Sequence, residues 1–365
     1  MNNRYETIDN TEAVISTAPV SFISYGNSFL FELQSYFDEH FTKDTHFVIL
    51  DDNNTHNYCL NLLTKIIDNY CVDIITIEAC ENDKTIDTVI SIWNKLLEYH
   101  CDRKTVMLLL GGGIVCDTGG FAASTFKRGI SYISIPTTLL AQTDAAWGGK
   151  NGVNFNNIKN QIGLFNNPNL IAVNTSFLKT LPERQLKSGM AEIIKHAIIG
   201  DKSIFKYIEQ TPKDDEYYKK LLIKSIAVKK SVIDVDFKEN GKRKILNFGH
   251  TIGHAIEAAM LNKITHGEAI RLGMIATIKI SSEYFDFDIN KYSKYIKIIE
   301  DNNSPTINKD DISLIMKIMK DDKKNYNGNI NFVLMKDIED MVIDVPVSED
   351  KIIKSLEFLT DYANK

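Results

Sequence analysis

The stretch Thr105–Asp117, TVMLLLGGGIVCD, decides how the first half of the chain folds. An apolar run of strand length passes directly into Gly111-Gly112-Gly113, and a helical pattern begins at once behind them. Side-chain-free residues let a backbone approach a pyrophosphate, and the helix N-terminus adds amide donors and a partial positive charge. The spacing is not G-x-G-x-x-G, and no acidic residue follows a second strand at the usual distance. Taken alone, the loop fits a plain tight turn as well as a nucleotide site.

Outward from this loop, FVIL (47–50), VDIITI (72–77), YISI (132–135) and LIAVN (170–174) read as further buried strands. Between them TIDTVISIWNKLLEYH (85–100) is predicted helical, with Val89, Trp93, Leu96 and Leu97 on one face. Such alternation implies an α/β domain with a mostly parallel sheet. Asp51 and Asn53, just after FVIL, are candidate ribose partners or an ordinary strand-end turn. Beyond about residue 178 the pattern becomes helical: Leu186–Ile199, Tyr217–Val235, His250–Met260, Glu268–Phe285 and Ile312–Met319, with INFVLM (330–335) the only strand-like run. The expected organisation is an α/β domain over 1–177 and a helical domain over 178–365. The asparagine- and lysine-rich stretches near 156–169 and 320–329 are expected to be loops.

The 365 residues favour two domains at roughly 100–200 residues each. With 44% hydrophobic and 25% charged residues the chain reads as a globular protein with a substantial core. Its formal charge of −6 and lack of a basic run argue against a nucleic-acid partner, while a small anionic substrate stays compatible. Five scattered cysteines without a C-x-x-C pair suggest neither a disulfide framework nor a cysteine zinc site. The opening MNNRYETIDNTEAV lacks the apolar stretch of a signal peptide, and no run approaches the roughly 20 apolar residues of a membrane helix. A cytoplasmic protein without membrane attachment is expected.

Three of the eight histidines fall in NFGHTIGHAIE (247–257) and THGE (265–268). His250 and His254 are four apart and share a helical face with Glu257, while His266 opens the next element. Neutral imidazoles with a carboxylate suit a divalent metal of zinc type, and Glu192 is a candidate carboxylate from elsewhere. Helical histidine pairs are also common as structural residues. Thr251 after His250 excludes the H-E-x-x-H protease pattern. Lys150, Lys159, Lys195, Lys229, Arg243 and the pair Lys323-Lys324 are individually ordinary surface cations; beside a metal and a nucleotide they would suit a phosphate- or carboxylate-bearing substrate.

The segments GGGIVCDTGGFAASTFKRGI, IPTTLLAQTDAAWGGKNGVN, KNQIGLF, LPERQLKSGMAEIIKHAIIGD, ENGKRKILNFGHTIGHAIE and HGEAIRLGM resemble the 3-dehydroquinate synthases in order and spacing, from about residue 47 to 335. The resemblance implies a Rossmann-like N-terminal domain followed by an all-α C-terminal domain. It implies zinc or cobalt held by Glu192, His250 and His266, which makes His254 a substrate contact. It implies NAD held by Asp51, Asn53, Glu81, Lys84, Gly112, Gly113, Ile114, Asp117, Thr137, Thr138, Asp144, Lys159, Phe177 and Thr180. Substrate would meet Lys150, Asn160, Lys195, Lys229, Glu239, Arg243, Asn247, His254 and Lys323 (or Lys324), with Arg128 reaching in from a second subunit of a homodimer.

The implied reaction turns 3-deoxy-D-arabino-heptulosonate 7-phosphate into 3-dehydroquinate and phosphate. Transient NAD-dependent oxidation at C5 acidifies C6–H, phosphate leaves, the ketone is re-reduced, and an intramolecular aldol step closes the ring. Trp147, Asn151 and His196 depart from residues the family usually carries, and none is an implied ligand. Related cyclases that make an aminoglycoside precursor lack the Arg243/Asn247 combination, and those that accept sedoheptulose 7-phosphate lack the second histidine of GHTIGH. Competing readings are a metal-dependent polyol dehydrogenase, which would produce net NADH, and a catalytically dead nucleotide sensor, in which the intact set of candidate ligands and lysines is not expected.

Overall fold

The computed structural model describes residues 19–156, 158–210, 213–261, 263–300, 305–321 and 330–362. The chain divides into two compact units, Met1–Leu186 with Thr211–Lys230, and Lys187–Gln210 with Ser231–Lys365.

The strands of the first unit are β1 (Val20–Ser24), β2 (His46–Asp52), β3 (Cys71–Ile77), β4 (Val106–Gly111), β5 (Ser131–Pro136), β6 (Lys150–Phe155), β7 (Ile158–Phe165) and β8 (Leu170–Asn174). Six of them form one sheet in the order β1-β8-β5-β4-β2-β3, parallel throughout. Its helices are α1 (Gly26–His40), α2 (Asn53–Tyr58), α3 (Leu60–Ile67), α4 (Ile86–Glu98) and α5 (Gly113–Thr125). Side chains alternate across the sheet, so Phe47, Ile49, Leu108 and Leu110 pack with Phe29, Leu33, Leu63 and Ile66 on one face. Val48, Leu50, Met107 and Leu109 pack with Val89, Ile92, Leu96, Val115 and Ala122 on the other. Each Val, Leu, Ile, Phe or Met side chain so withdrawn from water contributes roughly 1.5–3 kcal/mol. Gly119 lets α5 lie close on the sheet, since a Cβ there would meet Leu50 and Leu109 methyls at 2.6 Å.

Two readings of this unit need correction. Leu97 is 57% exposed, and Ile92 takes the buried place with Val89 and Leu96 while Trp93 lies at the edge of the face. Ile158–Phe165 is strand, where a loop was expected; it pairs antiparallel with β6. Its first half, residues 158–161, is exposed and mostly polar, only Ile162 and Leu164 alternate toward the core, and the pairing depends on Gly152 opposite Gly163. A Cβ on either would fall 2.7 Å from Ile162 O or 2.5 Å from Asn151 O.

Two long helices belong partly to each unit: α6 (Glu183–Ile199) and α8 (Asp215–Ile233), with the short α7 (Ile204–Ile208) between them. The second unit continues with α9 (His250–Ala259), α10 (His266–Tyr284), α11 (Ser293–Ile299), α12 (Asp311–Asp321) and α13 (Glu349–Tyr362). To this helical frame it adds a hairpin of β9 (Ile330–Asp337) and β10 (Asp340–Val347), only the first strand of which was legible in the sequence. Among the described residues no helix is long and apolar enough to cross a membrane.

The start of α10 is set by a capping box: Thr265 Oγ1 accepts the Glu268 N–H at 3.3 Å, and Glu268 Oε2 accepts the Thr265 N–H at 2.7 Å. The helix then touches its neighbours through glycine. A Cβ on Gly267 would sit 2.2 Å from Ser188 O on α6, and one on Gly273 would sit 2.0 Å from Gly249 O and 2.7 Å from Gly253 N at the head of α9. Gly273→Ala is therefore expected to lose about 1–3 kcal/mol or more of stability, measured as a lower urea midpoint, because the obstructing atoms are backbone and have nowhere to rotate.

Candidate functional site

In the second unit, α6 carries Glu192 and Lys195, α9 carries His250, His254 and Glu257, and α10 begins with His266. His250 Nε2 lies 3.5 Å and His266 Nε2 3.4 Å from Glu192 Oε1. That oxygen is buried with no hydrogen-bond partner among the described residues. Glu192, His250 and His266 each offer one ligand atom within 4.8 Å of the others. A buried carboxylate oxygen faced by two imidazole nitrogens is the donor set a zinc-type cation takes with positions left open. Its three residues come from three helices. His254 completes the histidine face of α9, its ring centroid 5.0 Å from that of His250 and 5.8 Å from that of His266.

The protonation states follow from the surroundings. Burial opposes ionisation of Glu192, but the Lys195 ammonium, bonded to its other oxygen, and then the two imidazoles hold it well below the usual carboxylate range. Burial and Lys195 hold His250 well below its ordinary value, so its imidazole is neutral. His250 Nδ1 lies 3.2 Å from Phe248 O, which makes it the donor and turns the Nε2 lone pair toward Glu192. Burial opposes a charge on His266 as well, yet Glu192 and Glu257 push it up to about 10. A cation arriving at the cluster takes the place of that proton. Glu257, 3.3 Å from His266 Nδ1, had been legible only as a member of the histidine face.

Near these helices in sequence, Lys242–Asn247 forms a tight helical turn that holds Arg243 and Asn247. Asp236 accepts the backbone N–H groups of Asn240, Gly241 and Arg243 at 2.7–3.0 Å and so shapes the loop before it, a role no motif announced. Glu239, at φ +61°, accepts from Asn247 Nδ2 at 2.8 Å. Arg243 is buried, donates to Phe237 O, and stacks its guanidinium 5.9 Å from the Phe237 ring centre.

The first unit gathers the remaining candidates in several groups. Lys84 Nζ donates to Asp117 Oδ2 at 2.6 Å and Asn160 Oδ1 at 2.5 Å. Lys229 donates to the Asp144 carboxylate at 2.7 Å and to its carbonyl oxygen. Glu81 Oε1 accepts from Asn154 and lies 3.8 Å from Lys159 Nζ. The glycine loop closes against β5: the Thr137 N–H donates to Gly111 O at 3.0 Å, and a Cβ on Gly112 would stand 3.1 Å from the Thr138 methyl. Gly113 and Ile114 open α5, whose N-cap, Gly112, has no side chain to cap it, so among the described residues its first amides are left without a capping side chain. The buried Thr137 hydroxyl has no partner among the described residues. Bare amides, an unfilled hydroxyl and a cradle that a Cβ would crowd are the chemistry a pyrophosphate requires.

Other candidates stand differently. Asp51 is fully buried, its carboxylate accepting from Thr76 Oγ1 at 2.7 Å and lying 2.9 Å from His56 Nδ1. Burial raises its pKa. Asn53 donates to Glu78 at 3.0 Å. Phe177 packs in the core against Phe29, and Thr180 donates to its carbonyl at 3.3 Å. Lys150 opens β6 on an exposed position. Arg128 ends an exposed turn in which Lys127, Arg128 and Gly129 all have positive φ, with no side-chain hydrogen bond or ion pair among the described residues. Lys323 and Lys324 lie outside the described residues. Of the departures, Trp147 is buried and donates to Gln142 O at 2.8 Å; Asn151 bonds Tyr132 Oη and Asn166 O; His196 is fully buried.

Known proteins resemble this chain in sequence and in fold. A family model described as 3-dehydroquinate synthase N-terminal matches residues 74–188, and one described as 3-dehydroquinate synthase C-terminal matches 189–325. The 3-dehydroquinate synthase of Clostridium tetani is 44% identical over 283 residues, 76% of this chain and 76% of that protein. That of Pyrococcus abyssi is 43% identical over 289 residues, 78% of this chain and 86% of its own. Among solved structures, 2-deoxy-scyllo-inosose synthase complexed with carbaglucose-6-phosphate, NAD+ and Co2+ superposes with a TM-score of 0.80 at 25% identity, covering 92% of this chain and 95% of that one. The 2-epi-5-epi-valiolone synthase of Streptomyces hygroscopicus subsp. jinggangensis shares the fold at a TM-score of 0.81 and 22% identity, covering 97% and 99%.

Glu192→Ala leaves the Lys195 ammonium buried without its carboxylate, and is expected to cost about 3–5 kcal/mol in denaturant unfolding of the metal-free protein. Replacing both residues with methionine should recover most of that loss, since the pair is then absent instead of broken.

Proposed function

The chain belongs to the 3-dehydroquinate synthase family, and from that membership we propose that it converts 3-deoxy-D-arabino-heptulosonate 7-phosphate into 3-dehydroquinate and phosphate. It is an enzyme of the phosphate-eliminating cyclase type. The observation that carries the reading is the buried Glu192 oxygen with His250 and His266 turned toward it. We assign a divalent metal, zinc or cobalt, to these three residues. NAD is assigned to the glycine loop and α5 N-terminus, with Thr137, Lys84, Asp117 and Asp144 beside the same reading; the related inosose synthase bound to NAD+ and Co2+ supports both assignments. When bound, the two supply a Lewis acid and a reversible hydride acceptor.

The chain's own side chains bind, orient and hold protons. Arg243 presents a planar fork already fixed by Phe237, suited to a carboxylate. Glu239 takes the amide N–H of Asn247, which leaves the Asn247 carbonyl as an acceptor for a substrate hydroxyl. Family membership is the ground on which Lys150, Lys195 and Lys229 are proposed for the substrate too, as cations of the kind that stabilise the negative charge a phosphate or an enolate gains. Asn160, held by Lys84, and His254 add polar contacts, with Lys323 proposed for the same substrate. The phosphate of the substrate itself is the proposed base for the C6 proton, so its departure and the proton's removal are coupled. We further propose a cytoplasmic homodimer in which Arg128 of a second copy meets the substrate.

The test supplies the heptulosonate phosphate, a catalytic amount of NAD+ and zinc, and follows phosphate and NADH together. Phosphate should appear in many-fold excess over NAD+ with no accumulated NADH; stoichiometric NADH without phosphate would instead mark a dehydrogenase. His266→Ala is expected to lose bound metal and turnover together while keeping its far-ultraviolet circular dichroism. Metal retained at the wild-type level would show that His266 is not a ligand.

A further inference from the structure

The two imidazoles that face Glu192 are oriented by unlike partners. His250 turns its Nδ1 to a backbone carbonyl, Phe248 O at 3.2 Å, which is a neutral acceptor. His266 turns its Nδ1 to a carboxylate, Glu257 Oε2 at 3.3 Å. The Glu257 side chain is only 13% exposed, so water shields that contact little. The backbone of His266 is already placed by the Thr265–Glu268 capping box, which leaves the ring's rotation to be settled by what its nitrogens meet. Glu257 lies three residues after His254 on α9, so the helix presents both toward the ring.

We infer that Glu257 is a positioning residue: its carboxylate accepts the Nδ1 proton of His266 and keeps Nε2 aimed at Glu192, making His266 the more basic of the two imidazole donors to a divalent cation. The inference rests on reading Glu192, His250 and His266 as a metal site. An ionised acceptor holds an N–H more strongly than a carbonyl and pushes electron density onto the opposite nitrogen. Glu257, His254 and His266 also offer three ligand atoms within 4.8 Å of one another. A second cation there would have to strip the Nδ1 proton from a ring whose other nitrogen is already a donor, which disfavours it against the proton.

The experiment titrates zinc into the metal-stripped full chain against a chromophoric chelator, for wild type, Glu257→Ala and Glu257→Gln. Glu257→Ala should bind roughly 10–100-fold more weakly, with one zinc per chain in each protein. Glu257→Gln should fall between, because its amide oxygen still accepts the Nδ1 proton without the charge. Long-range proton–nitrogen spectra of the zinc forms should show the His266 Nδ1–H signal in wild type and its shift in both variants, with His250 unmoved. Unchanged affinity in Glu257→Ala, an unmoved His266 signal, or two zinc ions in wild type falling to one on mutation would each overturn the inference. A loss confined to the thermal midpoint of the metal-free variants would reduce Glu257 to a structural residue. Absence of zinc binding by wild type would instead sink the metal site itself.

Discussion

Where α10 meets α6 and α9, backbone touches backbone. Gly267 lies against Ser188 and Gly273 against Gly249 and Gly253, at separations that leave no room for a Cβ. Helices that close present side chains from their facing surfaces to the same small volume, so Glu192, His250 and His266 converge although they are far apart in sequence. Gly249 serves twice: its φ of +78° turns the chain into α9, and its missing side chain leaves room for Met274. Packing of apolar side chains holds these helices together, but these contacts set how near their backbones come.

Convergence of that kind concentrates charge in a place shielded from water. A buried carboxylate, a buried ammonium and two imidazoles would be costly as isolated groups. Lys195 bonds one oxygen of Glu192 and the two histidines face the other, and the protons settle unequally, neutral on His250 and charged on His266. The first unit treats its charges likewise, joining Lys84 to Asp117 and Asn160, and Lys229 to Asp144. Cations held this way keep a fixed place from which to meet an anion, and fixed charge is what stabilises a developing negative charge without reorganisation.

Much of the fold was legible from local pattern. Five strands of the parallel sheet and the main helices of the second half stand where apolar periodicity puts them, because each element buries its own face. The chain was less legible where an element depends on a distant partner. The exposed first half of β7 has the composition of a loop and becomes strand through pairing with β6, and β10 needs β9. Leu97 sits on the expected helix, yet the sheet takes Ile92 in its place.

For the site, residue types and spacing were enough to nominate Glu192, His250, His254 and His266, and the ordered motifs named the family. The chemistry of imidazole and carboxylate is a property of the residues themselves, and four-residue spacing on a helix is local geometry. Which nitrogen faces which oxygen is not local. That His250 answers to a carbonyl and His266 to Glu257, that Asp51 is spent on Thr76 and His56, and that Asp236 shapes the loop of Arg243 were decided by tertiary packing. Hydrogen-bond partners depend on angles and ångström-scale approach between separate elements, and those come into being only when the elements pack.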